Sequence, residues 1–255
     1  MVTGLWEMVA YQVRMRLREP VAVFFDILWA PLMLLFFGTI FSARAETPMP
    51  GVRQVDLMAP QMMILAVLVI GFLDMTPWVA QERDLGFLRR LKVTPMPPWV
   101  YFGGLAVASL LITGLGILLI LLVGRLLFGL TLHGSPLAVL LALGLAVWGI
   151  YPLAFLLASV STTPALARAT GFIVGFPMMF LSGAAGVPVE LFPQGLRAVA
   201  SYLPATIGVK VLQGAWLGQN LGPYQGEILY LILFGLSTAL LSVRLFRWEA
   251  KGEKL

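Results

Sequence analysis

Long apolar runs, separated by short breaks rich in charge, glycine or proline, dominate the chain. Crossing about 30 Å of hydrocarbon at 1.5 Å per residue takes about 20 apolar residues. Five runs meet that length, at 21–41, 58–80, 100–128, 136–160 and 226–247. A sixth, at 167–182, has 16 residues and would rise only about 24 Å, so something beyond it must complete the crossing. The pattern predicts an all-α protein of six membrane spans.

Two further segments carry helical patterns of another kind. In 1–19, Val2, Leu5, Trp6, Val9, Val13 and Leu17 fall on one helical face and Glu7, Arg14 and Arg18 opposite, which predicts an amphipathic helix lying along a membrane interface. Arg16 falls near the apolar face and is expected to snorkel. Pro20 permits the turn into the first span. From Ser182 to Gly226 the chain is too apolar for a solvated loop and too interrupted for one span. Irregular backbone at membrane depth needs protein or a watery cavity around it. Gly183 to Gly186 therefore reads as a break, followed by short helices between Leu191 and Leu217 that dip into the outer leaflet and are cut by Pro193 and Pro204; Pro188 and Glu190 belong to the same re-entrant segment.

Composition agrees with the pattern. A chain of 255 residues with 60% hydrophobic and 11% charged residues and a mean hydropathy of +0.93 lies outside the soluble range. The net charge of +5 would suit nucleic acid, but the cations flank apolar runs and form no stripe on a soluble face. With no cysteine there is no disulfide, thiolate nucleophile or cysteine-ligated metal. The sole histidine, His133, cannot build a metal site.

Charge also orients the spans. With the N-terminus inside, 12 of the 17 Lys and Arg fall in inside segments and five in outside segments, so the positive-inside rule places both termini in the cytoplasm. The same rule places Gln81–Pro98 there, where Arg83, Arg89, Arg90 and Lys92 gather. Gly86 can release the chain from the second span. Leu85, Leu88 and Leu91 at three-residue spacing predict a short helix with one apolar ridge, and Pro95, Pro97 and Pro98 stop it. A purely electrostatic anchor has no use for that ridge; a helix docked in the groove of a cytoplasmic partner does.

Two blocks carry a resemblance. "ERDLGFLRRLKVTPMPPWVYFGG" (Glu82 to Gly104) resembles the region between spans two and three of ABC-2-type transporter permeases. "FPMMFLSGAAGVPVELFPQGLRAVASYLPATIGVKVLQGAW" (Phe176 to Trp216) resembles the fifth span of that family and the segment after it. The sequence departs at Phe87, where a small hydroxyl residue commonly follows the glycine. The resemblance covers essentially all of 1–255 as one transmembrane domain. It implies a subunit that dimerises, with an identical or closely related partner, and binds two ATPase subunits through a cytoplasmic coupling helix. Glu82, Arg83, Gly86, Leu88, Arg89, Leu91, Thr94 and Pro95 would form that coupling element. The chain has no G-x-x-x-x-G-K-[ST] phosphate loop, so no cofactor is expected on it, and ATP and Mg belong to the partner.

Ionisable residues inside spans are costly. Asp26 and Asp74 lie within about two turns of the expected cytoplasmic boundary, where either pairing or interfacial solvation accounts for them, with a substrate or proton path as the alternative. Arg125 and Glu227 sit near the outer boundary. Gly171 and Gly175 form G-x-x-x-G, suited to close helix packing or to a dimer seam; Gly103, Gly104, Gly114 and Gly116 offer the same. The twelve methionines are read as core or lipid-facing filler, with an adaptable apolar passage as the alternative.

These features point to a non-enzymatic permease subunit of an ATP-driven exporter in a bacterial or archaeal membrane, moving a hydrophobic or amphipathic molecule. An ion-coupled secondary transporter or channel without an ATPase is the second reading; it would rest on Asp26 and Asp74 but expects matching broken helices in both halves. An intramembrane serine protease at Ser182 would need His133 or Lys210 as its base.

Overall fold

The computed structural model describes residues 2–41, 47, 49–92, 98–187, 189 and 192–246. Every regular element among them is helical. Six are long and apolar enough to cross a membrane: α2 (Pro20–Ile40), α3 (Gln54–Asp84), α5 (Val100–Phe128), α6 (Pro136–Val160), α7 (Pro164–Leu181) and α10 (Gly222–Leu245). Four are shorter: α1 (Val2–Leu17), α4 (Phe87–Lys92), α8 (Gln194–Ser201) and α9 (Pro204–Trp216). The six expected spans are present, and the chain is an all-α, multi-pass membrane protein. The second is longer than its apolar run because Gln54, Asp56, Gln81, Glu82 and Arg83 extend the helix at both ends.

Helix α3 is the axis of the bundle. In its most apolar stretch 78% of residues are buried, against 22% in α10, and Val55, Ile64, Leu68, Ile70 and Phe72 are fully enclosed. Met62, Met63, Met178 and Met179 are buried in the same core, where an unbranched thioether fills irregular gaps. The other spans ring α3 and leave one side of each exposed, with Leu110, Leu118, Leu140, Ile173, Leu233 and Leu240 pointing outward. In a multi-pass protein that side meets lipid.

Glycine sets the close approaches. A Cβ on Gly175 would stand 2.7 Å from the Cβ of Phe72, and one on Gly171 would strike the Phe72 carbonyl oxygen, so the G-x-x-x-G face of α7 packs on α3 within this chain. Gly104 receives Met8 and Gly103 receives Leu5, both from α1, while Gly116 lies against the Asp26 backbone of α2. Gly149 and Gly235 let α6 and α10 interlock with Leu231 and Trp148. A Cβ on Gly114 would meet nothing.

Three spans contain a π-helical turn: Phe24–Leu28 in α2, Val69–Met75 in α3 and Gly124–Phe128 at the end of α5. Such turns are wider than the regular helix and occur often at functional sites. The first two carry Asp26 and Asp74.

The bundle has two unlike ends. The basal end holds α1, α4 and Phe246, clustered with Leu88, Val100 and Tyr101. The distal end holds the 129–135 connection, α8 and the turn after α7. There α7 stops at Leu181, and Gly183 and Gly186 both adopt positive φ, 79° and 84°, a region that glycine enters without steric cost. Pro193 and Pro204 sit at the starts of α8 and α9, where a missing N–H costs nothing. Pro188 and Glu190 lie outside the described residues.

Candidate functional site

The basal site is built from α1 inward. The apolar face expected on α1 is not the one it buries. Met8, Val9, Gln12 and Arg16 are buried, whereas Trp6 and Leu17 are 60% and 45% exposed; the inward face is rotated by about a quarter turn. Arg16 does not snorkel. It is 1% exposed, with Nε 3.1 Å from Asp74 Oδ2, Nη1 donating to Ser109 Oγ at 2.9 Å and the guanidinium 5.6 Å from the Trp78 ring centroid. A buried cation must find a counter-charge, and Asp74 supplies it by pairing, one of the two roles expected for that carboxylate. The pair meets as charges without a well-aligned hydrogen bond, and Arg16 Nη2 and Asp26 Oδ2 are buried and make no hydrogen bond among the described residues.

About two helical turns nearer the basal surface, Glu82 joins three helices. Gln12 Nε2 of α1 donates to both carboxylate oxygens at 3.3 Å, and the Tyr101 hydroxyl of α5 donates to Oε2 at 2.6 Å. The adjacent Arg83 donates to the Ser161 carbonyl at the end of α6. Both residues are buried, at 5% and 4% exposure. They anchor the end of α3, and Gly86, with φ +69°, turns the chain from there into α4.

That turn splits the expected leucine ridge. Leu85 belongs to the end of α3 and is 64% exposed, while Leu88 is fully enclosed by Met8, Val100 and Tyr101. Leu91 is half-buried, and Arg89 and Arg90 are exposed. Phe87 stacks on Tyr11 of α1 with centroids 5.3 Å apart. Burial and the charge of Glu82 push the Tyr11 phenol above its ordinary pKa. Thus α4 is fastened to α1 by its inner face and presents two arginines outward, with the exposed Leu85 beside them at the end of α3. Thr94 and Pro95 lie outside the described residues.

At the distal end, a cavity of about 740 Å³ is enclosed by the ends of α2, α3 and α7, by α8 and α9, and by the glycine turn. Phe37, Phe41 and Met58 form an apolar wall, while Gln54, Gln61 and Gln213 supply amides. The buried Thr206 hydroxyl, also in the lining, makes no hydrogen bond among the described residues. Arg197 and Lys210 line it as well, and Lys210 pairs with Glu227. Arg125 donates to the Leu130 carbonyl at 3.0 Å.

Ser182 is fully buried, its Oγ bonding to the Met179 carbonyl at 3.4 Å and accepting from Ala184 N at 3.3 Å. Both bases considered for it have other partners: Lys210 pairs with Glu227 and His133 Nε2 lies 3.2 Å from Asp56 Oδ2. Asp56 is the distal residue that sequence reading missed. Fully buried, it accepts from Arg53 N at 2.9 Å, Thr131 N at 2.8 Å and Thr131 Oγ1 at 3.1 Å. An acid three residues into a helix is a capping signal that could have exposed it.

A long buried axis helix, a joint clamping an exposed basal element to it, and an amphipathic cavity at its other end define a membrane permease. Residues 42–244 match the family described as ABC-2 family transporter protein. The chain belongs to that family, and membership implies association with an ABC ATPase. It is 24% identical over 221 residues, 85% of this chain and 87% of the other, to the protein named "Putative transport permease YvfS" of Bacillus subtilis (strain 168).

Proposed function

We propose that the chain is the membrane subunit of an ATP-driven exporter of amphipathic molecules in the cytoplasmic membrane. Both termini and α4 face the cytoplasm, as the excess of basal cations favours. It works as a dimer, of identical or closely related chains, with two ATPase subunits that bind ATP and Mg. No bond in the cargo is broken.

The observation that carries this reading is the continuity of α3. Its 31 residues span about 46 Å, with Glu82 fastened to α1 and α5 at one end and Gln54, Met58 and Gln61 lining the cavity at the other. A push on α4 when the ATPases close passes through Gly86 and Glu82 into α3, whose π-helical turn at Val69–Met75 gives it a point of adjustment. The cavity pairs aromatic and thioether surface with amides, which suits a cargo with an apolar body and a hydrogen-bonding head.

Inverted vesicles carrying the permease and its ATPase should accumulate a fluorescent amphiphile only with ATP. Gln61→Leu with Thr206→Val should weaken uptake while ATPase association is retained. The buried Asp26, with an oxygen that makes no hydrogen bond among the described residues, keeps ion coupling as a second reading. Uptake by the permease alone, driven by a pH gradient without nucleotide, would select it and sink the first.

A further inference from the structure

Beside the axis helix, α5, α6 and α10 part along their basal halves to leave a crevice of about 670 Å³. Its walls are apolar, with Leu105, Val147 and Phe155 inside and Leu110, Trp148 and Val243 on an exposed rim. The basal lip is an aromatic group: Phe246 lies 5.0 Å from Phe102 and 5.6 Å from Phe155, centroid to centroid. Gly144, at the far end, would place a Cβ in open space.

We infer that this crevice binds a bilayer phospholipid of acidic headgroup, one acyl chain lying along α6 and the phosphate at Arg244. Three observations converge. The first is length: from Phe155 to Gly144 the helix rises about 16 Å, which matches the roughly 15 Å of hydrocarbon in one leaflet. The second is access: the rim residues Leu110, Trp148 and Val243 are exposed and the lining is apolar, so an acyl chain can enter sideways from the bilayer. The third is charge. Arg244, exposed and adjacent to the rim residue Val243, stands at the basal end of the crevice, and Arg247, Lys251 and Lys254 follow it in sequence. Basic residues flanking a span at the membrane surface attract acidic headgroups. The crevice floor includes Met75, the neighbour of Asp74, and Tyr151, whose hydroxyl bonds Thr113, so the bound chain touches the α3 π-helical turn at Met75.

The full chain is reconstituted in phosphatidylcholine vesicles containing a trace of either phosphatidylglycerol or phosphatidylcholine with a diazirine on one acyl chain. Illumination is followed by peptide mapping. The phosphatidylglycerol probe should label peptides around Leu110, Trp148 and Val243 above the outward leucines elsewhere, such as Leu118 and Leu233. Gly144→Phe, and independently Ala106→Phe, should remove that excess while thermal unfolding is unchanged. Arg244→Gln should lower the preference for the acidic probe about fivefold. Labelling spread evenly over all lipid-facing peptides, or labelling unaffected by either filling variant, would overturn the site. An undiminished acidic preference in Arg244→Gln would overturn the headgroup assignment.

Discussion

Arg16 Nε lies 3.1 Å from Asp74 Oδ2, with the two side chains 1% and 10% exposed, and this contact ties the N-terminal helix to the axis of the bundle. Removing one member of a buried pair leaves an uncompensated charge, whereas replacing both with apolar residues need not destabilise. Arg16→Ala should therefore lower stability by about 3–5 kcal/mol, and Arg16→Met combined with Asp74→Leu should recover most of that loss. Thermal unfolding of Arg16→Met, Asp74→Leu and the double variant in detergent measures the coupling; additive losses would mean that the contact contributes nothing.

The turn at Gly86 separates two leucines with opposite roles. Leu88 is enclosed and Leu85 exposed, so Leu88→Asp buries an unpaired charge and should cost on the order of 4 kcal/mol. Leu85→Asp should leave unfolding unchanged and abolish co-purification with the ATPase. Full association of a stable Leu85→Asp protein would remove Leu85 from the contact.

Close packing of α7 on α3 makes Gly175 intolerant. Its added Cβ would stand 2.7 Å from the Cβ of Phe72, whereas one on Gly144 meets nothing within 4 Å. Gly175→Ala should destabilise by about 1–3 kcal/mol, and Gly144→Ala should stay within about 0.5 kcal/mol of the parent. Equal midpoints in a detergent melt would contradict the packing.

At the distal end Asp56 holds the start of α3 to the 129–135 connection. Asp56→Ala strands the Thr131 N–H and hydroxyl that it accepts from and should cost about 1–3 kcal/mol. His133→Gln should cost less, because its side chain is 28% exposed and water can replace the bond. Faster proteolysis of the 129–135 connection in Asp56→Ala than in His133→Gln is the expected order.

How far the site could be read in advance differs from residue to residue. Glu82, Arg83 and Gly86 stand beside a charged break between apolar runs, so their importance showed locally. Gln12, Tyr101 and Ser109 did not: each is an ordinary polar residue at its own position, and only the packing of α1 on α5 brings them to Glu82 and Arg16. Three-residue spacing puts Leu88 on one ridge with Leu85 only if the helix runs through Gly86, where a positive φ interrupts it.

The number of spans, the N-terminal helix and the breaks at Gly86 and Gly183 followed from the order of residues alone, because the length of an apolar run and the conformations open to glycine and proline are local properties. The tertiary structure decided which face of α1 turns inward, which leucine is hidden, and that Asp74 answers Arg16 across 58 positions of chain. Those outcomes depend on what each side chain meets. A cation on the edge of an amphipathic stripe can seek water or a distant carboxylate, and only the assembled bundle brings the carboxylate within reach.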